Sequence, residues 1–239
     1  MESTEPSQPK LNKYGRRYII WMFIWPFFQL VLFWAIAQRM DFLRLWIYFA
    51  VNILVIPAGI LIVACLNPDV LNHRAQWRKK EGIKTWDKVW IRFFGAFAFS
   101  LPIITAALDI GRYHWTRLGF SVTVLGIVLF ITGNAIFCWA LCVNRFFETM
   151  VRLQTDRRQT VITTGPYQYV RHPGYVGVIL WILSTPLILG SAVALIPAVI
   201  ACLLLIVRTY IEDNMLQKQL PGYSDYAARV RYRLIWGIW

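Results

Sequence analysis

Acidic side chains are scarce in this 239-residue chain: 12 Asp and Glu face 25 Lys and Arg, a formal net charge of +13. Cysteine is scarcer still. Its four copies, Cys65, Cys138, Cys142 and Cys202, all fall in apolar stretches, so no disulfide framework is implied. Cys138 and Cys142 share a helix face, but two thiols without a nearby His or carboxylate make a poor metal site, and no metal is expected. A Gly-x-Gly-x-x-Gly run is missing, which excludes cofactor binding of the soluble Rossmann type. The opening MESTEPSQPK has neither the basic start nor the cleavage site of a signal peptide, so the first apolar run is expected to stay as an anchor. The basic excess does not form the extended, aromatic-bearing face that nucleic acid requires, so no nucleic-acid partner is expected.

Apolar residues, by contrast, make up 58% of the chain and come in long runs. Tyr18–Ala37, Leu45–Leu66, Phe93–Ile110 and Leu118–Val143 are each long enough to cross a hydrocarbon core of about 30 Å as a helix. A fifth run, Tyr175–Val207, contains Pro186, Gly190 and Pro197 and reads as two shorter helices joined near Pro186–Ser191. The expected fold is therefore all-α: a polytopic membrane protein with four transmembrane helices, a C-terminal helical hairpin and cytoplasmic amphipathic helices. If the N-terminus is cytoplasmic, 21 of the 25 Lys and Arg lie inside, which the positive-inside rule favours and which puts the C-terminus inside as well. The basic flanks then also attract anionic membrane lipids.

Three regions follow from this pattern: a disordered cytoplasmic tail at 1–17, a four-span scaffold at 18–143 and a chemically distinct region at 144–239. The scaffold includes a cytoplasmic loop, 67–92, which opens with the helix stop Asn67–Pro68 and has a basic, tryptophan-bearing middle suited to the headgroup level. In the third region polar flanks emerge on both sides of the hairpin 175–207, and the hairpin brings them together.

The first flank contains TGPYQYVRHPGYVG, residues 164–177. Gly165–Pro166 reads as a turn, and Pro173 suits the first position of a helix, where its missing N–H costs nothing. The N–H groups of that helix start favour an anion, and Arg171 beside them can hold a carboxylate or phosphate. His172 can donate a hydrogen bond or relay a proton. The tyrosines alone fit an aromatic belt. On the second flank Arg208 and Glu212 stand four residues apart and can pair on one helix face, with Asp213 adjoining. Acids at a membrane boundary call for a functional reading, here the binding of an ammonium or ribose group. Beyond Pro221–Gly222 an amphipathic helix resumes, with Ser224 as its N-cap.

The run GPYQYVRHP-GY, a hairpin, then RTYIED, LPGYSDY and VRYRLI resembles the isoprenylcysteine carboxyl methyltransferase family of integral membrane enzymes, most of all its bacterial and archaeal members. The resemblance covers about the last 95 residues and implies a prokaryotic inner membrane. It implies an S-adenosylmethionine pocket facing the cytoplasm and a lipophilic or lipidated acceptor reaching it from the bilayer. Carried onto this sequence, Tyr169, Val170, Arg171, His172, Tyr175 and Glu212 contact the cofactor, and Tyr223 and Tyr226 close over it. Asp213 stands where the family often has a second glutamate. Asn144 and Arg145 fall on the acceptor side, although an arginine follows the asparagine where similar sequences often have proline. A carboxylate acceptor needs no general base, only an orienting cation, for which Arg208, Arg152 and Arg145 are candidates; a thiol or amine would need His172 or Glu212 to deprotonate it. Phospholipid amines and small thiols remain alternative acceptors. An NADPH-dependent, sterol-type reductase of the same superfamily and a non-catalytic membrane protein are the alternative functions.

Overall fold

The computed structural model describes residues 10–76, 83 and 85–239, and these contain helices and turns but no strand. Residues 1–9 of the expected tail, and most of the basic middle of the 67–92 loop (77–82 and 84), lie outside the described residues. Helix α1 spans Lys13–Ala37 because Asn12 caps it: its side-chain oxygen accepts from the Tyr14 and Gly15 N–H groups at 2.8 and 3.1 Å. Lys13–Arg17, expected in the tail, are therefore helical. α2 runs from Leu43 to Leu66. The Asn67–Pro68 stop ends α2 and at once starts a short helix, α3, over Pro68–Arg74, with proline at its first turn.

The third span is longer than its apolar run. α4 (Thr85–Gly95) and α5 (Leu101–Ala106) are joined by a π-helical stretch and followed by another, so one helix continues from Thr85 to Tyr113. Its polar first turns, expected in the loop, carry Asp87 into the protein interior, where it is 0% exposed. α6 (Phe120–Val143) crosses next, followed by a non-helical segment, then α7 (Pro173–Leu189), α8 (Leu195–Gln219) and α9 (Tyr223–Arg229).

The all-helical, membrane-spanning part of the expected fold is present, while the hairpin 175–207 differs in its bounds. α8 runs past the apolar stretch at Val207 to Gln219, and among the described residues it is one of five helices long and apolar enough to cross a membrane; α7, apolar as well, has 17 residues. The apolar pattern stops early because Arg208, Thr209 and Asp213 are polar, yet all three are buried and bonded, so the helix has no reason to stop there. The α7–α8 turn reaches the far end of the bundle. Leu118 N–H donates to Gly190 O (3.3 Å), and Ser191 Oγ donates to Asp109 Oδ2 (2.6 Å). α9 also starts two residues earlier than Ser224 would set it: Gly222, in the left-handed region (φ 78°), precedes Tyr223, and the Ser224 hydroxyl donates to Gln217 O instead.

α6 and α7 pack most closely, and two glycines allow it. A Cβ on Gly133 would lie 2.7 Å from Gly177 O, and one on Gly177 would lie 2.7 Å from Phe137 N. With no hydrophobic drive between helices in lipid, such backbone contact supplies the association. Gly177→Leu is expected to separate the helices at a cost of about 1–3 kcal/mol. Thermal unfolding in detergent micelles reads this directly, and an unchanged midpoint would refute the close-packing account.

Candidate active site

The near end of the bundle, opposite the Gly190 turn, gathers the segment between α6 and α7, the end of α8, α9 and the C-terminal tail. Gly165, at φ +59°, turns the chain into a single 3-10 turn over Gly165–Gln168, and the chain then extends into the start of α7 at Pro173. The tail returns alongside: the Arg171 and His172 N–H groups donate to Tyr232 O and Arg233 O, both at 2.9 Å. The backbone amides of Arg171 and His172 are therefore spent on the tail.

Beneath this junction lies Asp213, 0% exposed. Its Oδ1 accepts from Arg171 Nε (2.8 Å), Tyr223 OH (2.9 Å) and His172 Nε2 (3.2 Å). Its Oδ2 accepts from Arg171 Nη2 (2.8 Å), Gln217 Nε2 (2.8 Å) and Arg233 Nε (2.9 Å). Arg171 Nη1 adds bonds to Val230 O and Arg231 O. Burial by itself would lower the Arg171 pKa, but the hydrogen bonds and charge of Asp213 raise it. The fork of Arg171 is thus closed on protein groups rather than open to a ligand.

Above the junction is a cavity walled by Asn144, Glu148, Arg152, Tyr167, Arg171, His172, Gly174, Tyr175, Glu212, Tyr223 and Tyr226, among others. Glu212 faces it and accepts from Tyr175 OH at 2.5 Å. The His172 and Tyr175 rings stack at 5.6 Å. Asn144 donates to Tyr167 OH (2.9 Å), and Tyr226 OH donates to Tyr167 O (2.7 Å). Burial raises the pKa of the Tyr167, Tyr223 and Tyr226 phenols, with the Asp213 charge adding to it at Tyr223 and Tyr226, so each remains a neutral phenol. Arg152 is bound by Glu148 (3.0 and 3.2 Å) and Asp156 (2.8 and 3.2 Å).

Five of the residues expected at the site, Arg208 among them, do not reach this wall. Tyr169 is 60% exposed, Val170 is buried elsewhere, Arg145 is exposed 4.0 Å from Asp69, and Asp213 sits underneath. The expected Arg208–Glu212 pair does not form either, because Arg208 is drawn to Asp87 on α4.

Next to the first cavity lies a second, of about 290 Å³, which sequence reasoning did not find. Its walls are largely apolar (Met22, Ile56, Ile60, Phe94, Phe99, Trp181), with Arg74, Glu148, Tyr175 and Arg208 at one end. Phe147, Glu148 and Tyr175 line both cavities and so form the partition. The segment that supplies Phe147 and Glu148 is pinned at alternate residues. Arg74 Nη1 donates to Phe147 O (3.1 Å), Arg208 Nη2 to Thr149 O (2.7 Å), and Val151 N to Asp87 Oδ2 (2.6 Å). Apolar runs show where helices cross but not which faces leave a gap between them, so no sequence signal marks this cavity.

A family model for the isoprenylcysteine carboxyl methyltransferase (ICMT) family matches residues 124–218, less than half of the chain. The match takes in α7, Arg171, His172, Arg208, Glu212 and Asp213. Among individual relatives, protein-S-isoprenylcysteine O-methyltransferase B of Arabidopsis thaliana is 28% identical over 124 residues, covering 50% of this chain and 59% of the relative. The protein-S-isoprenylcysteine O-methyltransferase of Tribolium castaneum is 28% identical over 144 residues, covering 59% and 47%. A Schizosaccharomyces pombe protein of that same name reaches 40% identity over 48 residues, 20% of each chain. The matches thus span about half the length of the first two relatives.

Asp213 and Glu212 differ in burden, and stability measurements should separate them. Asp213→Asn leaves Arg171 and Arg233 short of their counter-ion and should cost about 3–5 kcal/mol. Glu212→Gln should change stability by less than about 1 kcal/mol, because its side chain faces the cavity. Equal losses in thermal unfolding would contradict the division.

Proposed function

We propose that this protein is an S-adenosylmethionine-dependent methyltransferase that esterifies the carboxylate of a lipophilic, prenylcysteine-like acid at a membrane. The observation that carries the reading is the pair of cavities divided by the Phe147–Glu148–Tyr175 partition, one polar and tyrosine-lined, the other apolar with cations at its end. The family match over 124–218 and the names of the relatives support it. By the distribution of Lys and Arg, the near end of the bundle faces the cytoplasm.

The residues present suit the cofactor. A sulfonium and an ammonium call for negative charge and ring faces, and the first cavity offers Glu212, Tyr167, Tyr223 and Tyr226. Gly174 lies flush against the Phe147 ring, so a side chain there would fill the space between them. When bound, S-adenosylmethionine supplies an electrophilic methyl group. Glu212 would hold its cationic part, with Tyr175 fixing the carboxylate through the 2.5 Å hydrogen bond, and the stacked His172 ring would complete the wall. Arg171 and Asp213 act as positioning residues, since each is closed on the other.

On the acceptor side the apolar cavity excludes water and takes the lipid tail. Arg208 orients the carboxylate, an ion that needs no deprotonation at neutral pH. Of the three cations proposed for this task, Arg152 is bound to two acids and Arg145 is exposed, whereas Arg208 lines the apolar cavity itself. Aligning a nucleophilic oxygen with a methyl group across a narrow partition is the proximity effect on which an in-line displacement depends.

Transfer of labelled methyl from S-adenosylmethionine to N-acetyl-S-farnesylcysteine by the purified protein tests the reading. Glu212→Gln should weaken S-adenosylhomocysteine binding about tenfold, the scale of one charge-assisted contact. Arg208→Ala should suppress transfer while leaving that binding within about twofold. Binding of NADPH in place of S-adenosylhomocysteine would overturn the assignment.

A further inference from the structure

Two buried arginine–aspartate pairs hold this end of the protein, and they are built differently. Arg171 grips Asp213 through two parallel bonds of 2.8 Å, and four further contacts complete the carboxylate. Arg208 meets Asp87 through a single nitrogen. Nη2 lies 3.2 Å from Oδ1 and 3.3 Å from Oδ2, beyond the 2.7–2.9 Å usual for a charge-assisted bond. The strongest bond of that nitrogen, 2.7 Å, goes to Thr149 O instead.

The loose pair also leaves hydrogen-bonding capacity unused. Arg208 is 3% exposed and Asp87 0%, yet among the described residues Arg208 Nε and Asp87 Oδ1 each lack a hydrogen-bond partner. Among the described residues every hydrogen bond of Arg208 leaves from Nη2, so its Nη1 end is open as well. Buried polar atoms are rarely left in this state without a reason. Glu148 does not offer Arg208 an alternative, because Arg152 and Arg157 already hold it. A pair serving structure alone would be expected to close as Arg171 and Asp213 do.

We propose that Arg208–Asp87 is an exchangeable ion pair: Asp87 is the resting counter-ion of Arg208 and gives way to the acceptor's carboxylate when the acid enters the apolar cavity. This rests on the reading of Arg208 as the acceptor's cation. An arginine facing an apolar cavity alone would be an uncompensated buried charge. Asp87 neutralises it while the cavity is empty, and does so again once the acid has become a neutral ester. The same carboxylate also keeps its 2.6 Å bond to Val151 N, so the exchange moves a charge contact without releasing the partition. Asp87 is therefore a positioning residue, and it lies outside the residues that match the family model.

The sign of the expected effect is unusual for a buried charge. Asp87→Asn keeps an oxygen for Val151 and removes the competing negative charge, so the acid should bind more tightly. With N-acetyl-S-farnesylcysteine as the acid and its carboxamide as the neutral control, Asp87→Asn should raise the acid-to-carboxamide affinity ratio about tenfold. Its KM for the acid should fall, and S-adenosylhomocysteine binding should stay within about twofold. The acid, but not the carboxamide, should restore the thermal stability that Asp87→Asn loses. Asp87→Glu, which keeps the charge, should preserve the wild-type ratio and guards against a misfolded variant. An unchanged ratio in Asp87→Asn, or equal loss of acid and carboxamide binding, would overturn the exchange. If the wild type binds both ligands but transfers no methyl, the methyltransferase reading fails, while the ratio still tests Asp87.

Discussion

The cytoplasm-proposed end of this protein hangs on one buried carboxylate. Asp213 accepts six contacts from five side chains, and those side chains come from the start of α7, α8 itself, α9 and the C-terminal tail. The partners belong to segments remote from one another in the chain. A carboxylate with both oxygens saturated in a low-dielectric interior can hold such segments together, because leaving any of its cations unpaired is costly. The shape of the polar cavity follows from this. Arg171, His172 and Tyr223 are anchored from below, so their positions in the wall are set before any ligand arrives.

That anchoring leaves Glu212, one residue earlier on α8, as the carboxylate that faces the cavity. Adjacent positions on a helix point about 100° apart, so one acid of the pair is turned inward to the arginine fork and the other toward the opening. The division of labour between two neighbouring acids is thus a consequence of helical geometry. It also explains why Asp, with its shorter reach, serves where the donors come to it.

The partition between the cavities depends on a different kind of constraint. The segment around Phe147–Val151 has no regular structure, and it is placed by Arg74, Arg208 and Asp87, which reach it from α3, α8 and α4. Rigid spans thereby position a loop that no local propensity would hold. The closed Arg171–Asp213 pair and the open Arg208–Asp87 pair mark the difference between a joint that holds and a contact that can be exchanged.

Much of this was legible in the sequence. The long apolar runs, the cation asymmetry and the Gly–Pro and His–Pro punctuation specify an all-helical chain with spans and a helix starting at Pro173, since each reports on local backbone and burial preferences. The motif residues His172, Tyr175, Glu212, Tyr223 and Tyr226 were also readable and do come together around one cavity. What could not be read was pairing. Arg208 and Glu212 are four apart and looked like partners, but Asp87, 121 residues away, takes Arg208, and Arg171 goes to Asp213. Nor could the apolar cavity be read. Both depend on which helix faces meet. Ion pairing in a low-dielectric interior is decided by distances between segments remote in the chain, whereas sequence spacing reports only on neighbours within one helix.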